Sequence, residues 1–263
     1  MERTYWHKQG NEPLFPDLVW SRPQTKQSAG KLLIIGGNVH GFAAVGNAYA
    51  EAMKAGVGTV RIVLPDALQK TVSKLLPEAE FAISTPSGSF GQAALAQLLE
   101  QASWAEGVLI AGDLGRNSET AIVLEKFVYK YIRQLTLTKD AIDYFTHAPQ
   151  SITNRPATAL VLSIAQLQQL AVAAKFELAF TFDMDLLHLI EALQQFSQKF
   201  SLNVVIKHLD TTFVAVNGQV STTKTGVDSN DVWRIPTSAH TSVWWLQNPT
   251  KTFEAFTTSI AFS

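Results

Sequence analysis

"KLLIIGG", Lys31 to Gly37, is a lysine followed by a short apolar run closed by two glycines. A strand with one wet face alternates apolar and polar residues, whereas a strand covered on both faces has no need to. The run therefore reads as a buried parallel strand. The small-residue stretch from about Ala43 to Ala55 reads as the helix that follows it, ended by Gly56 and Gly58. Outward from this unit the alternation repeats. "TVRIVLPD", "AEFAIS", "GVLIAG", "LTLTKD" and "TALVLS" read as strands. Helical patterns separate them: one to about Leu76, then "SFGQAALAQLLEQA", "SETAIVLEKFVYKYI", "IAQLQQLAVAA" and the amphipathic "MDLLHLIEALQQFSQKF". "NVVIKH", "TTFVAVNG" and "QVSTT" then follow in quick succession, with Asn217-Gly218 as a hairpin turn signal. That order predicts a three-layer α/β sandwich: a mostly parallel central sheet, helices on both faces and an antiparallel hairpin near the C-terminal end.

Composition agrees with a folded α/β chain. Of 263 residues, 46% are hydrophobic and only 16% charged, enough for a large core and too little charge for disorder. The formal net charge of −1, without a basic block, gives no footprint for nucleic acid. With no cysteine, disulfides and Cys-ligated zinc are excluded, and no histidine pair has metal-ligand spacing on one helix, so no metal site is expected from protein ligands. No stretch reaches the roughly 18 apolar residues of a membrane span, and "MERTYWHKQG" lacks the apolar core of a signal peptide. A cytoplasmic protein with no membrane partner is expected. The chain reads as one domain, 1–263, with an extended arm over 1–30 and a distinct helical tail over 236–263. Trp6, Phe15, Leu18, Val19 and Trp20 are costly to leave in water, so the arm is expected to clamp across the body or a partner.

Three loops carry candidate chemistry. "GGNVHGFAAVG", Gly36 to Gly46, lies between the first buried strand and its helix, where ligands of open α/β sheets bind and helix amides favour anions. It lacks the Gly-x-Gly-x-x-Gly spacing of a dinucleotide fold, and a tight strand–helix turn explains it equally well. "AGDLGRN", Ala111 to Asn117, occupies the equivalent place after a later strand. Gly112 and Gly115 suit close backbone approach and Arg116 could meet a phosphate. Asp113 would repel one, and the Asp and Asn here serve equally as helix caps for Ser118. "VSTTKTGVDSNDVWRIP", Val220 to Pro236, combines a glycine, a polar loop and an Asp placed to open a helix. Pro236 follows too soon for that helix to run on, since proline in a helix interior costs roughly 3 kcal/mol. A fresh helix starting at Pro236 is expected.

In this order of elements the chain resembles the NAD(P)H-hydrate dehydratase family of the ribokinase-like, carbohydrate-kinase-related superfamily. The resemblance covers about residues 26–232 and is strongest in "GKLLIIGGN…AGVGTVRIVLPD". "VLIAGDLGR" resembles the family's Gly-Pro-Gly-Leu-Gly segment. "LTLTKDAI" resembles Asp-Ala-Asp-Ala-Leu, with Asp140 kept and Thr138 in place of the first Asp. "VVIKHLDTTFVAV" resembles Lys-Gly-x-x-Thr, with Lys207 and Thr211 kept. "GVDSND" stands where the family has Gly-Gly-x-Gly-Asp, which puts Asp231 on the catalytic Asp and Asn230 on the preceding Gly; Asp228 is a second candidate. The resemblance implies ADP or ATP with Mg²⁺ as cofactors and hydrated NADH or NADPH as the small-molecule substrate. It implies Lys207, His208, Asp210, Thr211 and Asn230 around the nucleotide. Around the substrate it implies Gly37, Asn38, Ala44, Gly112, Asp113, Gly115 and Asp140.

The departures are specific. The family's Thr-Pro-His-x-Gly-Glu segment is represented by "LSIAQLQQL", without His or Glu. Glycines of the pattern are replaced by His208, Asp210 and Asp113, and Pro236 interrupts the helix behind Asp231. Phosphoryl chemistry would then draw its donors from Arg116, Lys224 or Arg234. Three functions stand at this level: nucleotide-dependent dehydration of NAD(P)H hydrates (a lyase of metabolite repair), phosphorylation of a small alcohol such as a sugar or vitamin precursor, and a non-catalytic nucleotide-binding or structural scaffold. "AHTSVWWLQNPTKTFEAFTTSIAF", Ala239 to Phe262, reads as one or two amphipathic helices. Its aromatics would pack on the sheet or form the face of a homo-oligomer.

Overall fold

The computed structural model describes residues 4–226 and 233–263. Strand β1 (Trp6–Gln9) and helix α1 (Pro16–Trp20) form the arm. Then come β2 (Lys31–Gly36), α2 (Ala43–Lys54), β3 (Thr59–Pro65), α3 (Gln69–Val72), β4 (Ala79–Ala82) and α4 (Ala94–Trp104). The middle of the chain forms β5 (Gly107–Gly112), α5 (Ser118–Lys130), β6 (Gln134–Thr138), α6 (Asp140–Asp143), α7 (Gln150–Thr153), β7 (Thr158–Leu162), α8 (Ile164–Ala173) and α9 (Leu186–Phe200). The strands β8 (Asn203–His208), β9 (Thr211–Val216) and β10 (Gln219–Lys224) precede α10 (Arg234–Gln247) and α11 (Thr252–Ile260).

All ten strands make one sheet in the order β1-β10-β9-β8-β7-β6-β5-β2-β3-β4. Pairs from β4 through to β8 are parallel, and β8-β9-β10 is the antiparallel end. The apolar run that opened the sequence divides between two cores. Leu33 and Ile35 face α4, α5, α8 and α9, while Leu32 and Ile34 face α2 and α10. Burial of both faces is what excluded polar alternation.

The order reverses between β2 and β5. From β2 the chain moves outward through β3 and β4, then returns to the other side of β2 as β5. Two glycines allow the strand ends to meet there. A Cβ on Gly36 would lie 2.5 Å from the Gly112 carbonyl oxygen and 2.8 Å from Val45. Gly112 itself holds a φ of 97°, open to glycine and rarely to other residues.

Three boundaries differ from expectation. The helix predicted to Leu76 stops at Val72, where the Leu75 and Leu76 N–H groups both turn back onto the Val72 carbonyl at 2.9 Å. The next helix starts at Ala94, because "TPSGS" folds into a turn with Thr85 N–H donating to Ser89 O at 2.7 Å. Helix α10 begins at Arg234, so Pro236 is its third residue, where a missing N–H leaves no intrahelical bond unmade.

The arm lies on the chain's own body: β1 pairs parallel with β10, and the Arg22 guanidinium stacks 4.6 Å from the Trp244 ring centroid while donating to Ala55 O. The tail resolves likewise. Trp244 and Trp245 are 0% and 3% exposed, and Phe256 is fully buried over β7–β9. Trp245 and Phe256 pack on the sheet and Trp244 packs against Leu18 of the arm and Ala255 of α11, so these three side chains are not available as an oligomer face. Among the described residues no helix is long and apolar enough to cross a membrane.

The Gly36–Gly112 contact makes a definite prediction. Gly36→Ala forces a methyl into a backbone carbonyl and should destabilise the protein by about 1–3 kcal/mol. A urea midpoint equal to that of wild type would show that the strand ends can part at no cost.

Candidate functional site

A cleft of about 890 Å³ opens over the carboxyl ends of β5, β6 and β7. Gly115, Arg116, Asn117 and Ser118 form one wall, Asp140, Asp143, Tyr144 and His147 the floor and flank, and Ser163, Gln166, Gln169 and Arg234 the far side. Its size lies in the range of roughly 300–1,000 Å³ found for small-molecule sites.

The α5 wall is tied down at both ends. Asn117 caps α5, its Oδ1 accepting from the Glu119 and Thr120 N–H groups at 2.8 and 3.3 Å. Of the two caps offered by the sequence, Asn117 fills the role and Asp113 does not. Tyr144 donates its hydroxyl to Gly115 O and receives the Asn117 N–H at 3.4 Å, which holds the loop against α6.

Asp113 faces the other way. Its Oδ2 accepts from the Ala44 N–H at 2.8 Å, its Oδ1 lies 2.6 Å from Lys139 Nζ, and its carbonyl accepts from Asn38 Nδ2 at 2.5 Å. Helix α2 has no side-chain cap of its own, so a residue 69 positions away supplies it. Asp113 and Lys139 hold φ of 56° and 52°, a left-handed conformation that tertiary contacts must enforce in residues with side chains.

Asp140 begins α6 beneath the cleft. Its Oδ2 accepts from the Leu114 N–H at 2.9 Å, while Oδ1 is buried with no donor in full hydrogen-bonding geometry among the described residues. Burial first, and the neighbouring Asp113 carboxylate after it, push the Asp140 pKa up; the Leu114 amide and Lys139 oppose them without prevailing.

The far side is organised by Gln166, which lies in the segment where the resemblance found neither His nor Glu. Its Nε2 donates to Lys139 O and to Asp143 Oδ1, both at 2.7 Å, and its Oε1 accepts from Arg234 Nη1 at 3.0 Å and from the Ser163 N–H at 3.2 Å. Ser163 and Gln166 form a capping box on α8. The pattern Ser-x-x-Gln was available in the sequence, but nothing there linked it to Asp143 or Arg234.

Of the residues proposed around the substrate, Gly115 and Asp140 line the cleft. Gly37, Asn38, Ala44, Gly112 and Asp113 gather beside it at the β2–β5 junction, where Gly37 N–H donates to Gly112 O at 3.0 Å. Of those proposed around the nucleotide, Lys207 lines a separate recess of about 200 Å³ with Thr212, Thr225, Trp233, Pro236, Thr237 and Ser263. Thr211 donates to Asp210 Oδ1 at 2.9 Å, and Lys224 lies 3.2 Å from Asp210 Oδ2. The Thr211 hydroxyl and then Lys224 hold the Asp210 carboxyl below its usual range. His208 pairs with Thr211 in the hairpin register. Asp228, Asn230 and Asp231 lie outside the described residues. No group of three or more His, Cys, Asp or Glu among the described residues is placed to hold a metal ion.

No protein-family model matches the chain, and no curated protein matches it. Solved structures do. A ribokinase-like superfamily protein from Enterococcus faecalis V583 is 16% identical with a TM-score of 0.75, over 99% of this chain and 87% of that one. An ADP/ATP-dependent NAD(P)H-hydrate dehydratase from Bacillus subtilis, co-crystallised with ATP and Mg²⁺, is 12% identical with a TM-score of 0.63, over 95% and 86%. The pyridoxal kinase of Staphylococcus aureus, in complex with AMP-PCP and pyridoxal, is 15% identical with a TM-score of 0.55, over 88% and 84%. At these identities the likeness establishes the ribokinase-like α/β fold.

The raised pKa of Asp140 fixes the sign of a pH effect. A carboxyl whose folded pKa exceeds its unfolded one loses stability as pH rises from the unfolded value through the folded value. Asp140→Asn, which keeps an acceptor for Leu114, should therefore be more stable than wild type at pH 7, with the difference closing below about pH 4. Urea midpoints of both proteins across that range decide it; a less stable Asn variant at pH 7 would mean the charge is held favourably.

Proposed function

We propose that this chain, built on the ribokinase-like fold, catalyses a nucleotide-dependent reaction of the NAD(P)H-hydrate dehydratase type on a small molecule bound in the cleft. One observation carries the reading: the first turn of α10 is a wall shared by cleft and recess. Arg234 lines the cleft, while Trp233, Pro236 and Thr237 line the recess beside Lys207. A substrate pocket and a cationic, hydroxyl-rich recess thus meet on the segment that follows Asp231 directly in sequence. Group transfer between two ligands needs such adjacency.

The residues present fit a nucleotide in part. A recess of about 200 Å³ with the Lys207 ammonium and the Thr212 and Thr225 hydroxyls suits a phosphate group. It is smaller than the pockets that enclose whole ligands. ADP or ATP, with Mg²⁺ held chiefly by its own phosphates, would supply a transferable phosphoryl group. The chain's part is to bind phosphate through Lys207, orient the substrate through Arg116, Asp140 and Arg234, and accept the hydroxyl proton at the Asp231 carboxylate.

A second reading, phosphorylation of a small alcohol by the same Asp231, is favoured by Gln166. It stands in the segment where the resemblance implied contact with the hydrated nicotinamide, and its amide is engaged by Lys139, Asp143 and Arg234. That arrangement suits a substrate other than a nicotinamide.

Calorimetric titration with ADP, ATP and AMP, with and without Mg²⁺, comes first. One nucleotide should bind at micromolar concentration, and Asp231→Asn should keep that binding while losing most turnover, by about a hundredfold or more. Recovery of NAD(P)H from its hydrates separates the dehydratase from the kinase, which would consume ATP only with an alcohol present. No nucleotide binding at millimolar concentration would remove both.

A further inference from the structure

At the switch point of an open α/β sheet the helices diverge to opposite faces, and the crevice they leave at the strand ends is where ligands usually bind. Here the switch point lies between β2 and β5, with α2 on one face and α5 on the other. That crevice is filled from within. The Asp113 carboxylate takes the Ala44 N–H and the Lys139 ammonium, and a Cβ placed on Gly41 would lie 4.0 Å from it. The place where a helix amide would meet a bound anion holds the chain's own anion, neutralised by the chain's own cation.

The cleft beside this crevice is therefore polarised. Its floor carries Asp140 and Asp143, with Asp113 directly behind. Its walls carry two arginines, Arg116 beside α5 and Arg234 on the far side. Arg234 is oriented by Gln166 at 3.0 Å. Arg116 is exposed, and no ion pair or side-chain hydrogen bond engages it among the described residues. A phosphate entering toward the floor would meet like charge, whereas the guanidinium groups on the two walls match its geometry and charge.

We infer that Asp113 is a specificity-determining residue: it closes the crevice at α2 to anions and turns the phosphate end of the ligand toward Arg116 and Arg234. The ligand class is a phosphate-bearing small molecule whose uncharged, hydroxylated end lies over Asp140. The inference rests on the small-molecule reading of the cleft and goes beyond it in assigning the ligand's charge and orientation.

Inorganic pyrophosphate, titrated calorimetrically at low ionic strength, is the probe. It should bind wild type, bind about tenfold more weakly to Arg116→Ala, and fail to bind Arg116→Glu. Asp113→Asn keeps an acceptor for Ala44 but leaves the Lys139 charge uncompensated, so it should bind pyrophosphate several-fold more tightly. Should that variant not fold, the two Arg116 variants carry the test, since an exposed side chain leaves the core intact. Pyrophosphate that does not bind wild type, or binds regardless of Arg116, overturns the inference. Pyrophosphate binding that ignores Arg116, beside nucleotide binding that is intact, overturns the inference while leaving the proposed function standing, since that function seats the nucleotide phosphate at Lys207. Arg116-dependent pyrophosphate binding without any nucleotide binding upholds it and removes the nucleotide-dependent reaction.

Discussion

The meeting of Gly36 with Gly112 is the contact on which the rest of this structure depends. Two parallel strands that are not consecutive in sequence lie side by side at the centre of the sheet, and their ends converge until a single Cβ would collide with a carbonyl. Because β2 and β5 close there, α2 must leave toward one core and α5 toward the other. The position of the crevice, and so the place where the chain can present loops to a ligand, follows from that divergence.

The loops around the crevice close helix ends with side chains that also shape the cleft. Three of the helices that begin at or beside the cleft have their N-termini closed by a side chain: α2 by Asp113, α5 by Asn117 and α8 by Ser163 with Gln166; α6 and α10 have no such cap. A helix amide left unmet would attract an anion; one already met does not. Arg116 and Arg234 bring positively charged side chains to the same cleft. Asp140 runs against this economy. Its buried Oδ1 and raised pKa hold a polar group at odds with its surroundings, which is the kind of local cost found where function requires it.

At the far end of the sheet, β1 extends the antiparallel strands and α11 covers them, with Ser221 and Thr257 joined by a buried hydroxyl pair at 2.7 Å. The arm and the tail thus brace the edge that carries the β8-β9 hairpin. Lys207 projects from that hairpin into the recess, so its position is set by segments drawn from both ends of the chain.

The sequence by itself determined the sandwich. "KLLIIGG", "GVLIAG" and "TALVLS" are apolar at consecutive interior positions because both faces are covered, and period and length alone carry that information. It also marked the loops that reach the site, because glycine pairs at strand ends are local features. What it left open was pairwise. Asp113 read equally as a cap for the helix beside it or as a charge in the way of a ligand; only the fold brought Ala44 and Lys139 to it and made it the cap of a helix 69 residues earlier. Gln166 looked like one polar residue of an amphipathic helix until the structure set Asp143 and Arg234 around its amide. The tail aromatics read first as packing on the sheet and second as a face for a partner, and the structure buries Trp245 and Phe256 over β7–β9 and Trp244 against the arm. Local pattern specifies elements, because hydrophobic burial depends on neighbours three or two residues away. The charges of the site are settled by contacts that span most of the chain, and these exist only once the sheet has closed.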